Sequence, residues 1–156
     1  MSTKTIAAAF VWAVAGLVST AFFVFAAPAL EVRLAPVLTN QRIVIDDGDR
    51  TPGRMCWTWH WVKRRYAQPV VVTWSIAIDN TAVAIPVVAQ RERDGYAVSA
   101  PQSHSPGPGR NDLCVPIPPY LDAAPGLTIR GSINYRTSHG LWTVWQDMPS
   151  VKVPPR

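Results

Sequence analysis

Ile6 to Ala27 reads IAAAFVWAVAGLVSTAFFVFAA, a run without a single charge and with nothing more polar than Ser19 and Thr20. As an α-helix at ~1.5 Å per residue it reaches about 33 Å, enough to cross a hydrocarbon core of ~30 Å. Each hydroxyl can bond a carbonyl one turn back, so neither forbids insertion. Pro28 has no N–H and its ring crowds the preceding turn, which predicts the end of the helix there. Membrane lipid is therefore the expected partner of residues 6–27. Cleavage as a signal peptide is the alternative, since Lys4 forms a short basic start and Ala27-Pro28-Ala29 is a small-x-small site. Hydrophobic cores of signal peptides usually run only ~7–15 residues, which favours a retained anchor. The expected organisation is an anchor over residues 1–29 and one domain over residues 30–156.

All ten acidic residues and fourteen of the fifteen basic ones lie beyond residue 30, giving that part a net charge of +4. Its two cysteines, Cys56 and Cys114, follow a membrane-targeting segment. An even count in that setting predicts one disulfide in an oxidising space. The expected topology is N-terminus in the cytoplasm and domain in the periplasm or outside the cell. Secretion after cleavage is the alternative. No C-x-x-C spacing supports a redox motif or a zinc knuckle.

Beyond residue 30 the apolar period is two rather than 3.6. Leu127, Ile129, Gly131, Ile133 and Tyr135 alternate with Thr128, Arg130, Ser132 and Asn134 after a Pro125-Gly126 turn signal. Val70, Val72, Trp74, Ile76 and Ile78 alternate too, with Val71 and Ala77 making the second face partly apolar, as in a central strand. These two apolar faces are expected to meet. Met55–Val62 places Trp57, Trp59 and Trp61 on one face and Cys56, Thr58 and His60 on the other. Shorter strands are predicted at 31–37, 42–45, 82–89, 96–99, 141–146 and 150–153. The Pro- and Gly-rich stretch Pro101–Asp112 (PQSHSPGPGRND) reads as a loop. Many short strands between Pro and Gly turns predict an all-β, antiparallel, immunoglobulin-like β-sandwich preceded by one N-terminal transmembrane helix.

The stretch Pro125 to Tyr135 resembles the penultimate strand of immunoglobulin-like and fibronectin-type sandwiches. The order Cys56, Trp74, Cys114 is similar to the antibody-type cysteine–tryptophan pin. Asp112 stands where those domains carry a tyrosine two residues before the second cysteine. The resemblance implies an architecture and no activity.

The densest chemical feature is Trp57-Thr58-Trp59-His60-Trp61-Val62-Lys63-Arg64-Arg65. The plainest expectation puts the three indoles in the core and the three cations on a solvated turn. Exposed indoles on a flat strand would instead form a glycan platform, which needs at least two of the three in solvent. Stacked bases with cations on a phosphate backbone would suit nucleic acid, which an extracytoplasmic location disfavours. Lys63, Arg64 and Arg65 could also meet lipid headgroups.

His60, His104 and His139 lack any HxH or HExxH spacing, so no metal site is expected. Ser103-His104-Ser105 has no defined acid, G-x-S-x-G is missing, and Asp46-Asp47-Gly48-Asp49 reads first as turn chemistry, with a calcium loop as the remoter reading. No catalytic residue and no cofactor is expected. The function read from sequence is a membrane-anchored, non-enzymatic accessory or adaptor subunit that binds another protein in an envelope or virion-linked assembly. The alternative is a glycan-binding module using the Trp-rich strand.

A retained anchor has a direct consequence. The chain should stay with membranes through carbonate and high-salt washing and leave only in detergent. One Arg inserted at Val14 should cost ~2.5–3.5 kcal/mol of insertion and mislocalise much of the protein. A mature N-terminus at Leu30 would contradict retention.

Overall fold

The computed structural model describes residues 3–46, 50–79, 81–99, 103–122, 124 and 126–154. The chain divides into two compact units, Met1–Ala35 and Pro36–Arg156.

In the first unit α1 (Thr3–Ala21), a π-helical turn (Phe22–Ala26) and α2 (Ala27–Leu34) follow without a break. Residues Thr5–Leu34 make a helical run of 30 residues, long and apolar enough to cross a membrane by length and composition. Thr20 Oγ1 donates to the Gly16 carbonyl at 2.8 Å, so its hydroxyl is satisfied within the helix. Pro28 does not end the helix, against the sequence expectation. Just before it the ladder lengthens to i→i−5, with the Ala27 N–H donating to the Phe22 carbonyl. That slack places Pro28 at the start of α2, where a missing N–H and a fixed φ are tolerated. The strand expected over 31–37 is accordingly helical as far as Leu34.

The second unit is built from ten strands among the described residues, all antiparallel, in two sheets. One sheet holds β1 (Leu38–Val44), β2 (Arg50–Thr51), β3 (Arg54–Lys63), β6 (Gln90–Arg91) and β7 (Gly107–Pro116). Its order is β1–β3–β7–β6, with β2 also beside β3. The other sheet holds β4 (Ala67–Ile78), β5 (Ala84–Val87), β8 (Leu127–Thr137), β9 (Thr143–Asp147) and β10 (Val151–Val153). Its order is β10–β8–β4–β5, with β9 also beside β8. A short helix, α3 (Pro119–Asp122), precedes β8.

The tryptophans join the sheets. From β3, Met55, Trp57, Trp59 and Trp61 turn inward; from β4, Val72, Trp74 and Ile76 do the same. The Trp74 ring meets Trp57 at 5.1 Å and Trp59 at 5.8 Å between centroids, both edge to face. Two glycines make room. Trp74 pairs with Gly131 across the ladder and Trp61 with Gly109. A Cβ on Gly131 would lie 2.6 Å from Trp74 Cζ3, and one on Gly109 only 2.4 Å from Trp61 Cε2.

Several expectations change. The stretch read as a loop from Pro101 becomes β7 from Gly107 onward, because it runs beside all of β3 and Gly109 accommodates an indole. Pro108 sits in the part of β7 that β6 does not reach, where a missing N–H is tolerated. The apolar faces of β4 and β8 lie side by side in one sheet rather than against each other, with Ile76 beside Ile129 and Val72 beside Ile133. Val70 falls at a bulge between Pro69 and Val71 and is 43% exposed. Residues 96–99 contribute a single bridge, Gln90 to Ala97, instead of a strand.

Ile129 is fully buried, whereas its neighbour Arg130 leaves on the outer face. Ile129→Ala should cost ~2–5 kcal/mol through lost burial and a residual cavity. Gly131→Ala should cost ~1–3 kcal/mol by overpacking against Trp74. Arg130→Ala should cost far less than either. Urea titration followed by tryptophan fluorescence checks this ranking, and equal losses at 129 and 130 would contradict the register.

Candidate functional site

The Trp-rich strand is interior. Trp57, Trp59 and Trp61 are 1%, 2% and 7% exposed, so the three indoles cannot serve as a glycan or base-stacking platform. Trp59 and Trp61 stack at a tilt, 4.3 Å between centroids. The indole Nε1–H groups of Trp57, Trp59 and Trp74 are buried without a hydrogen-bond partner, which a solvent-facing platform would not require.

The three cations that follow are separated rather than clustered. Lys63 is not on a solvated turn, as the sequence suggested; it is 4% exposed and points inward like the tryptophans. Its Nζ donates to the Ala67 carbonyl at 2.9 Å and to the His104 carbonyl. Lys63 thereby ties the β3–β4 connection to the segment leading into β7. Burial pushes its ammonium below the ordinary lysine range. A cavity of about 20 Å³, lined in part by Trp61, Lys63 and Tyr135, lies beside it. Burial pushes the Tyr135 phenol up. Arg64 is exposed and donates from Nε to Thr39 Oγ1 at 2.8 Å, bracing β1. Arg65 is half-buried.

Cys56 and Cys114 are direct ladder partners on β3 and β7, with Cα atoms 4.0 Å apart and sulfurs at disulfide distance, 2.17 Å. Both belong to one sheet. The similarity to the antibody-type pin therefore fails, because that bond crosses between sheets over a tryptophan. Cys56 alternates with inward Met55 and Trp57, and Cys114 with inward Leu113 and Val115, so the pair faces away from Trp74.

The same outer face carries Asp112, which accepts from Thr58 Oγ1 at 2.7 Å and Arg110 Nε at 2.9 Å. Burial alone would raise Asp112; the Thr58 hydroxyl and the Arg110 guanidinium hold it below the usual carboxylate range. Asp79, at the end of β4, is likewise held down, by the Thr128 hydroxyl at 2.7 Å and by Lys152 at 3.5 Å.

The histidines are distributed over three places. His60 lies on the outer face of β3, His104 is exposed ahead of β7, and His139 sits in the β8–β9 turn against the Trp142 ring. Of the acidic turn, Asp47 to Asp49 lie outside the described residues. One surface residue escaped the sequence reading. Trp145 on β9 is 52% exposed and pairs with Asn134, between inward Val144 and Gln146. The alternation Thr143-Val144-Trp145-Gln146-Asp147 carries that signal only once Val144, rather than the larger indole, is known to turn inward.

No family model matches this chain, and neither does any curated protein.

The buried Lys63 has a testable pH signature. Its folded pKa is depressed below the unfolded 10.5, so the unfolded chain binds more protons between the two values. Stability should therefore rise with pH over the interval just below 10.5, between the folded and unfolded values. Lys63→Met should abolish that rise while costing ~1–3 kcal/mol near neutrality through two orphaned carbonyls. Arg64→Ala should change neither. Thermal melts from neutral pH up to 10.5 check the contrast.

Proposed function

We propose that the protein is a single-pass, membrane-anchored, non-enzymatic subunit whose β unit binds another protein outside the cytoplasm, as an accessory or adaptor in an envelope or virion-linked assembly. The 30-residue apolar helical run supports the anchor, and the cysteine pair at disulfide distance supports an oxidising side of the membrane for the β unit. Two antiparallel sheets joined by inward tryptophans support placing that unit in the immunoglobulin-like class of sandwiches. The cysteines lend that placement no support.

The observation that carries the binding role is Trp145. Four tryptophans of the β unit are sealed between the sheets, yet this one stands half in solvent on the outward face of β9. Beside it on β8, Asn134 is its ladder partner and Arg136 follows two residues on, exposed. Tryptophan and arginine are enriched among the residues that carry protein–protein binding energy, and the indole presents large contact area for little lost conformational freedom. The glycan reading has lost its platform with Trp57, Trp59 and Trp61 buried.

A photo-crosslinking amino acid at position 145, in the full chain in its native membrane, should yield a discrete protein adduct. The same group at Thr58, on the other sheet, should not. Equal labelling at both positions, or none at 145, would contradict the proposal. External protease should reach the β unit in sealed right-side-out vesicles; protection would reverse the topology.

A further inference from the structure

The ladders bring three features to one end of the β unit. Leu38, the first residue of β1, pairs with Lys63, the last of β3, which also pairs with Gly107, the first of β7. In the other sheet Ala67, the first residue of β4, pairs with Thr137, the last of β8. The β3–β4 turn, the β8–β9 turn and the entry of the chain therefore lie together. Val37 fixes the entry, since its carbonyl accepts from the Arg64 N–H at 2.9 Å.

This end is one-sided in charge. Residues 36–41, 63–70, 103–109 and 136–143 hold Lys63, Arg64, Arg65 and Arg136 and no acidic residue. It is also apolar at its tips, where Tyr66 is 68% and Leu141 75% exposed. Thr137 meets both Ala67 and the Trp142 carbonyl, each next in the chain to one of these side chains. β4 and β9 flank β8, so Tyr66 and Leu141 stand about 10 Å apart, two strand spacings. The turn carrying Leu141 is braced. Thr137 Oγ1 donates to the Trp142 carbonyl at 3.0 Å, and His139 Nδ1 accepts from the Leu141 N–H at 3.2 Å. Among the described residues Arg64 uses one side-chain N–H, on Thr39 Oγ1, and keeps the rest of its guanidinium fork for an anion.

We propose that these two turns dock on the headgroup layer of the bilayer that holds the chain's own anchor. Tyr66 and Leu141 enter the interface, and Arg64 and Arg136 meet anionic lipid headgroups. The inference rests on the reading of residues 6–27 as a membrane anchor. Chain length then selects the occupant. Beyond Ala27 the helix runs on to Leu34, seven residues or about 10 Å, enough to clear the headgroup layer. Val37 is three residues further, a reach of at most about 11 Å whatever the angle at the junction. The end that carries the exposed tyrosine, leucine and arginines is thus the end tethered close to the lipid surface. Tyrosine favours that interface, arginine keeps its head among the phosphates while its stem lies on apolar surface, and each cation there favours the anionic surface about fivefold.

The test uses the full chain in vesicles of equimolar phosphatidylcholine and phosphatidylserine, and in phosphatidylcholine alone. An environment-sensitive fluorophore on an unnatural residue at position 138, in the β8–β9 turn, is read against the same group at position 120 in α3, which leads into the far end of β8. In the mixed vesicles the probe at 138 should shift to the blue and be quenched by lipids spin-labelled at the headgroup, and the probe at 120 should not. Omitting phosphatidylserine should cut that quenching several-fold. Arg64→Gln should lower the docking equilibrium about fivefold, and Arg64→Lys should restore most of it. Leu141→Ser should weaken docking with the melting temperature unchanged. Release of the chain by carbonate would overturn the anchor reading and the docking with it. Retention in carbonate with equal quenching at 138 and 120 would overturn the docking alone. So would quenching indifferent to Arg64 and to lipid charge. Shielding of position 138 in native membranes but not in lipid vesicles would assign the turns to a protein partner and overturn the proposal too.

Discussion

The β unit depends on one interaction, the edge-to-face contact of Trp74 with Trp57 and Trp59 across the gap between the sheets. Three indoles meet in one place between the sheets, and their bulk dictates what the neighbouring strands can carry. Gly131 and Gly109 lie directly beside Trp74 and Trp61 in the ladders because a Cβ there would overlap the rings. The arrangement also has a cost. Three indole N–H groups are buried without partners, at about 1–3 kcal/mol each, and apolar burial with ring packing must offset that.

Polar lacing completes what the indoles begin. Gln146 on β9 reaches the other sheet, where its Oε1 accepts from the Leu38 N–H at 3.0 Å and its Nε2 donates to the Leu38 carbonyl. A side-chain amide thus acts as one rung of ladder between β9 and β1. In the connection from β6 to β7, the Ser99 carbonyl accepts from the Val72 N–H of β4 at 3.0 Å. Lys63 performs the same service at a third place by satisfying two carbonyls from inside. These three contacts join different elements through polar groups, which resists sliding of one sheet over the other.

These constraints locate chemistry on the outside of the sheets. The strand with the most aromatic and basic residues is consumed by the core, and its cations go to three different environments. What remain for contact with other molecules are the turns where the chain enters and the outward face of each sheet. One presents Trp145 beside arginine; the other presents a cysteine pair under Arg54 and Glu92.

Alternation made much of this legible. The apolar run at the N-terminus, the inward and outward sides of β3, the central position of β4 and the wet face of β8 all follow from residue type and period. Where a backbone irregularity intervenes, the pattern misleads. In β1 one extra residue between Thr39 and Arg42, with Asn40 at φ +49°, brings Leu38 and Ile43 to the same side despite an odd spacing. The bulge at Val70 does the same for Ala67 and Val72. β7 was hidden because glycine and proline are poor strand formers in isolation, and only the indole lying over Gly109 shows why they are there. The π-turn before Pro28 and the shared sheet of Cys56 and Cys114 are equally unreadable, since each depends on which groups meet in space. The sequence by itself determined a membrane-length helix and a tryptophan-centred β unit, because hydrophobicity and period are local properties. Only the tertiary structure decided which indole faces water, where Lys63 is buried and on which side of its sheet the cysteine pair lies, because register and sheet pairing are set by contacts between distant segments.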